Sequence, residues 1–335
     1  MNKHQRLHAA IHKQTVDRPP IALWRHFPID DLDAEKLARR VIEFQNAYDF
    51  DFVKVTPAAS YVAEMYGGEL RDAGNREGTR THVRRVINAW QDWKKIEPVA
   101  NDHPIMQRER DAIQRIRAGL GKDVPIMQTI FSPLSCARTL AGDRLIQDLR
   151  EHPSEVLHAL QHLGTTMEHF AHCSIEAGAD SLFLATQVAS RDVLTPAEAR
   201  AFGTSNDLAL LNHLGSHVDF ILLHIHGENI YFEELAKYPV QIVNWHDRKT
   251  APTLREGKKL FHGAVAGGIE EWGVLADGTP DQIRAQIQDA IQQTDGFGLI
   301  VAAGCVISTD TPEDNIRAAR AAVEISAVHR IKFNG

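Results

Sequence analysis

The strongest constraint on this chain is an alternation. Eight apolar runs of strand length recur along the sequence, most of them followed by an amphipathic helical pattern. The runs are Pro20–Phe27, Phe52–Thr56, Val124–Phe131, Asp180–Ala185, Phe220–His226, Val240–Trp245, Lys259–Val265 and Gly298–Val306. Strands that are apolar throughout must be covered on both faces, as in a parallel sheet flanked by helices. Eight such units predict closure into a (β/α)₈ TIM barrel. The competing architecture is an open doubly wound sheet, but no G-x-G-x-x-G follows the first run.

Helix starts are punctuated in the way this reading requires. Thr195-Pro196, Thr279-Pro280 and Thr311-Pro312 each place Thr at an N-cap and Pro in the first turn. Glu198 and Gln282 complete capping boxes at the first two. Helices are expected over Ala34–Tyr48, Ile105–Ala118, Pro133–Ala141, Ser154–Ala177 and Pro312–His329. Between the second and third strands, cations and two Trp alternate over Arg80–Lys95, which reads as an exposed helical or hairpin face. The sequence shows no internal repeat, linker or low-complexity segment, so residues 1–335 are expected to form one domain.

Composition excludes several functions. The net charge is −7 and no basic run stands out, so nucleic acid is not an expected partner. No apolar run reaches the length of a membrane span. The basic N-terminal stretch lacks the apolar core of a secretory signal. Three cysteines, Cys136, Cys173 and Cys305, form no disulfide framework, and a reducing cytoplasm is the expected setting. Most of the 18 histidines, such as His4, His8, His12, His158 and His162, are expected on the surface.

In such a barrel the chemistry sits at the carboxyl ends of the strands. Those ends carry Trp24-Arg25-His26, Lys54, His224-Ile225-His226, Asn244-Trp245-His246-Asp247, His262-Gly263 and Cys305. His224 and His226 are two apart on a strand and share a face. Buried together, two imidazoles are costly unless they bind something. Zinc is the simplest occupant, and Cys305 would complete a Cys-His₂ set with a fourth position left for substrate. Hydrogen-bonded core histidines and an inert packed cysteine are the plainer alternative. Cys136 and Cys173 fall in helical patterns and read as packing. His246 and Asp247 are candidate orienters of the ligating imidazoles, Asp247 alternatively a cap or a partner of Arg248. Arg25 is a candidate anion-binding fork, alternatively half of an internal ion pair.

Five stretches carry a further signal: VDRPPIALW at the start, ARTLAG after the third strand, GAD before the fourth, GTPDQI before a late helix, and AAGCVISTDTPEDNIRAA at the end. On these stretches nearly the whole chain resembles the uroporphyrinogen decarboxylase superfamily, and within it the zinc-dependent, corrinoid-linked methyltransferases. The resemblance implies a zinc site of H-x-C plus a distant Cys. Here those positions read His224-x-His226 and Cys305, with His in place of the middle Cys. It implies methyl transfer between a corrinoid and a thiol or other small-molecule donor or acceptor. No D-x-H-x-x-G cobalamin motif occurs, so the corrinoid would come from a partner protein or as free methylcobalamin. A homodimer is implied in the same way. The alternatives are a decarboxylase of porphyrin synthesis and a non-catalytic module that binds a tetrapyrrole or corrinoid protein. The decarboxylase branch carries R-Q-A-G-R-Y after its first strand, an Asp after the second and a late His. This chain has Trp24-Arg25-His26-Phe27-Pro28, Lys54 and Thr56, and Gly304-Cys305 there.

Overall fold

The computed structural model describes residues 1–333, with side-chain packing described through Glu324; the last two residues of the expected 1–335 domain lie outside it. Its centre is a curled, parallel sheet of seven strands. These are β1 (Val53–Val55), β4 (Ile126–Phe131), β5 (Ser181–Thr186), β6 (Ile221–Ile225), β7 (Ile242–Trp245), β8 (Ala264–Ile269) and β9 (Leu299–Ala303), in that order across the sheet. All are buried along nearly their whole length, which explains why they read as apolar runs rather than as alternating ones. A separate antiparallel hairpin, β2 (Glu69–Asp72) with β3 (Arg80–Arg84), forms the excursion after β1. No helix among the described residues is long and apolar enough to cross a membrane.

Two expected strands are corrected. Pro20–Phe27 is not a ladder strand. It is an extended segment with a single parallel bridge, Ile21 to Val301. Ala22 N–H donates to Val301 O and Val301 N–H to Pro20 O, while Asp51 N–H, just ahead of β1, donates to Ile21 O. The segment thus hydrogen-bonds on both sides, but Pro19 and Pro20 have no N–H to give and a regular ladder cannot start there. The seventh expected strand, Lys259–Val265, starts too early. Leu254–Leu260 is a helix, and β8 begins at Ala264. The helix is announced by a capping box: Thr253 Oγ1 accepts from Glu256 N–H, and the Glu256 carboxylate accepts from Thr253 N–H. As a result His262 is exposed at the amino-terminal lead of β8, the wrong end for chemistry.

The remaining elements lie close to expectation. Helices occupy Ala34–Tyr48, Pro104–Leu120, Pro133–Ala141, Pro153–Glu176, Pro280–Thr294 and Glu313–Phe333. Capping boxes form at Thr195 and Thr279. Thr311 instead donates its hydroxyl to Ser308 O. The Arg80–Lys95 stretch resolves into exposed strand β3 and a short 3₁₀ turn over Trp90–Lys95.

The hairpin matters to the site because its turn folds over the strand ends. Arg80 is paired with the fully buried Asp31. Arg76 spans Asp310 and Asp277 at 2.9 Å each. Gly78 sits between them with φ +77°, and a Cβ there would fall 2.8 Å from His26 Cβ and 2.9 Å from Thr309 Cγ2. Only glycine lets the turn lie so close.

Candidate metal centre

Register decides which side chains meet. In the β6–β7 ladder His224 is the Cα partner of Asn244. His224 Nδ1 lies 2.7 Å from Asn244 Oδ1. The Asn244 amide is oriented by its other end, since Nδ2 donates to Ala266 O at 2.9 Å and to Ala303 O at 3.0 Å. Its Oδ1 is therefore an acceptor, and His224 must carry its proton on Nδ1. The lone pair is left on Nε2. That atom is buried and has no hydrogen-bond partner among the described residues, a cost of about 1–3 kcal/mol if nothing binds it.

Three further donors face the same point. His226 follows β6, His246 follows β7 and Cys305 follows β9 by two residues. His246 Nε2 is 3.2 Å from His226 Nδ1, and Cys305 Sγ is 3.9 Å from that same Nδ1. One ligand atom from each of His224, His226, His246 and Cys305 falls within a 4.8 Å cluster. The edges of a tetrahedral zinc site with N and S ligands are about 3.3–3.8 Å, from bond lengths of about 2.0–2.3 Å. The donor set, its separations and the lone pair on His224 Nε2 all fit zinc. His246 is held from behind: its Nδ1 is 2.7 Å from Glu271 Oε1, and Glu271 is 1% exposed. A carboxylate on the far nitrogen is the usual support of a metal-site imidazole.

With that geometry in hand, comparison with known proteins becomes informative. The sequence matches the uroporphyrinogen decarboxylase (URO-D) family over residues 2–325. The chain belongs to that family. Its similar relatives include Methylcobamide:CoM methyltransferase MtbA of Methanosarcina acetivorans, 21% identical over 93% of this chain and 95% of the relative. Methylcobamide:CoM methyltransferase MtaA of Methanosarcina barkeri is 24% identical over 95% and 96%. Among solved structures, a methyltransferase from Methanosarcina mazei superposes with a TM-score of 0.80 at 22% identity, covering all of both chains. The resemblance expected from the motifs, to this family and to its methyltransferase branch, is thus what the comparisons return.

In this URO-D family chain three of the four donors, His224, His226 and Cys305, line a cavity of about 580 Å³. Trp24, Phe131 and Phe183 supply apolar wall, and Glu77 and Thr79 from the hairpin turn close one side. Burial, reinforced by the neighbouring imidazoles, holds His224 far below the usual histidine range and lowers His226 to about 4. Burial also raises the Cys305 thiol to about 12. Burial raises the Glu271 carboxyl too, but the hydrogen bond and charge of His246 outweigh it and hold Glu271 below its ordinary value. The imidazoles of His224 and His226 are therefore neutral, each with a lone pair for a cation.

Among the described residues that line the cavity, Lys54 is the one amine. Its Nζ stands 4.5 Å from the Phe183 ring centroid and donates only to Thr56 Oγ1, at 3.2 Å. Burial lowers it to about 7. It takes the place expected for Arg25. Arg25 points away: its guanidinium donates to the carbonyls of Thr309 and His26 and lies over Phe27. Arg25 lines no part of the cavity. Asp247 is also placed elsewhere. Its Oδ1 accepts from Gly268 N–H at 3.0 Å, and Oδ2 faces Arg248 at 3.6 Å. The residues that orient the imidazoles are Asn244 and Glu271 instead. Asn244 was legible as a polar residue inside an apolar strand. Glu271 follows β8, whose end was misplaced, and so was missed. Cys136 and Cys173 are buried in helices, as expected.

Proposed function

We propose that this single-domain chain is a zinc-dependent methyltransferase, built on a barrel whose eighth stave is the Pro20–Trp24 segment. It moves a methyl group between a corrinoid, carried by a partner protein or as free cobalamin, and a small thiol or other small-molecule donor or acceptor. The observation that carries the reading is the buried, unpartnered Nε2 of His224, locked as a lone pair and clustered with His226 and Cys305. The names of the relatives, methylcobamide:CoM methyltransferases, support methyl transfer that involves a corrinoid and a small thiol.

In this reading His224, His226 and Cys305 hold the metal. Zinc, when bound, would lower the pKa of a substrate thiol placed at its open position. His246 Nε2, 3.2 Å from His226 Nδ1, stands beside that position and takes the substrate's proton, and Glu271 on Nδ1 stabilises the imidazolium formed. Asn244 keeps His224 in its ligating tautomer. Lys54 holds an acidic group of the substrate in a pocket that otherwise has no ammonium to offer. One amine is too few for a substrate with many carboxylates, which disfavours the decarboxylase reading.

The test is metal content by mass spectrometry together with demethylation of methylcobalamin by assorted thiols, CoM among them. Zinc in the protein and thiol-dependent demethylation are expected. Protein purified without chelators that holds no zinc would sink the proposal. Replacing Lys54 with Met is expected to raise KM for an acidic thiol about tenfold or more while leaving a neutral thiol nearly unaffected, since one charge-assisted contact is removed. Equal effects on both thiols would show that Lys54 only packs against Phe183.

A further inference from the structure

A second cavity lies apart from the metal centre, and none of its lining residues lines the first. It is about 460 Å³ and sits between the helix Pro133–Ala141 and an irregular segment, Ala199–Thr204. That segment is a π-turn interposed between Pro196–Glu198 and the helix Ser205–Leu214. Such turns are unstable relative to α-helix and are kept mainly where function needs them. The walls are largely apolar, with Leu134, Val188, Leu194 and Leu235 among them.

Into this apolar space the chain sets an acid without a full complement of donors. Asp207 is 3% exposed. Tyr238 donates its hydroxyl to Oδ2 at 3.0 Å, and Oδ1 has no hydrogen-bond partner among the described residues. A second acid on the wall, Glu234, has its Oε2 enclosed and likewise unbonded, with Arg191 no nearer than 3.8 Å. Tyr231, also on the wall, has already committed its hydroxyl to Leu194 O. The wall's cation, Arg200, is exposed. A buried carboxylate oxygen without a donor is costly, and burial raises the Asp207 carboxyl to about 7 as a result. The deficit is in hydrogen-bond donors and positive charge, inside a compact apolar chamber.

We propose that this cavity is a binding site for a small primary ammonium ion with a short hydrocarbon body. The ammonium head donates to Asp207 Oδ1, and the hydrocarbon packs on the leucine and valine wall. An anion would meet two acids, and a neutral hydrocarbon would leave Asp207 unsatisfied. The site does not depend on methyl transfer, so the two proposals stand or fall separately.

The probe is n-propylammonium, titrated calorimetrically into the full chain, with n-propanol and propionate as matched controls. Saturable one-to-one binding of n-propylammonium alone is expected. Asp207→Asn should weaken it about tenfold or more, the loss of one charge-assisted hydrogen bond. Gly203→Leu gives a second reading that leaves the carboxylate in place. A Cβ at Gly203 meets only Leu134 Cδ2, at 3.8 Å, so the longer side chain has room to grow along the cavity wall and should exclude the probe. The proposal is overturned if n-propylammonium shows no saturable binding, if n-propanol binds as well, or if binding survives Gly203→Leu unchanged. Should Asp207→Asn fail to fold, the wild-type and Gly203→Leu titrations still decide.

Discussion

Replacing His224 with Ala is expected to strip the protein of zinc and, with it, of methylcobalamin demethylation. The effect should exceed the roughly 10–100-fold loss in metal affinity that follows from removing an outer hydrogen-bond partner, because a ligand itself is lost. Asn244→Ala supplies that smaller comparison: it leaves His224 in place but takes the acceptor from its Nδ1–H. The two variants should also differ in stability without metal. His224→Ala removes a buried nitrogen that has no partner, and that relief offsets part of the cavity it opens. Asn244→Ala leaves Nδ1–H unpaired as well as Nε2, and should destabilise the metal-free protein more. Added zinc should raise the Tm of the wild type through linkage and leave His224→Ala unmoved. A His224→Ala protein that keeps its zinc would show that these histidines serve the core and not a metal.

How far the sequence foretells this site depends on what each residue answers to. His224, His226 and Cys305 were legible because strand periodicity and the barrel rule both act locally, and the structure does bring them together. Two apart on a strand means one face, whatever the rest of the chain does. His246 was legible as a strand-end residue, but its place as a fourth donor comes from the β6–β7 register, which sequence alone does not specify. Asp247 and Arg25 point away from the donor cluster for a related reason. Both sit one residue from a cavity-lining or donor position, and in extended chain a shift of one residue reverses the side chain's direction. Asp247 therefore faces the β8 backbone and Arg25 faces Thr309, while Lys54 supplies the positive charge.

Misplaced strands have their own physical cause. Lys259–Val265 looked apolar enough to be a strand, but the Thr253–Glu256 capping box nucleates a helix through Leu260. The true strand, Ala264–Ile269, contains Gly267 and Gly268, which weaken any strand signal. Gly267 is there because Asp247 Oδ1 lies 2.4 Å from where its Cβ would be. The local pattern was overruled by a tertiary contact, and the error then hid Glu271.

The first expected strand was misread in the opposite sense: it is apolar and extended, yet a buried ion-pair cluster ties it down beside its few backbone bonds. Asp51 is fully buried and accepts hydrogen bonds from Arg6 Nη1 at 2.7 Å, from Arg18 Nη1 at 2.6 Å and from the backbone N–H of Ile21 at 2.8 Å. It thus joins the helix Lys3–Ile11, the lead-in to β1 and the proline-initiated segment that has no regular ladder of its own. Asp51→Ala should cost about 3–5 kcal/mol of folding stability, because it strands two buried guanidinium groups as well as one backbone N–H. Arg6 retains Asp17 and Arg18 retains Glu324, both more exposed acids, so the loss should fall within that range and not above it. Combining Asp51→Leu with Arg6→Met and Arg18→Met removes the stranded charges and should recover part of the loss. Urea unfolding at fixed temperature measures both. The segment runs on to Trp24, which lines the cavity beside the candidate metal centre, so loosening it should also blunt thiol-dependent turnover while leaving the proposed zinc content, which depends on His224, His226 and Cys305, unchanged. A cost below about 1 kcal/mol, the level of a solvent-screened surface pair, would mean that water already reaches this cluster and that backbone bonds alone hold the segment.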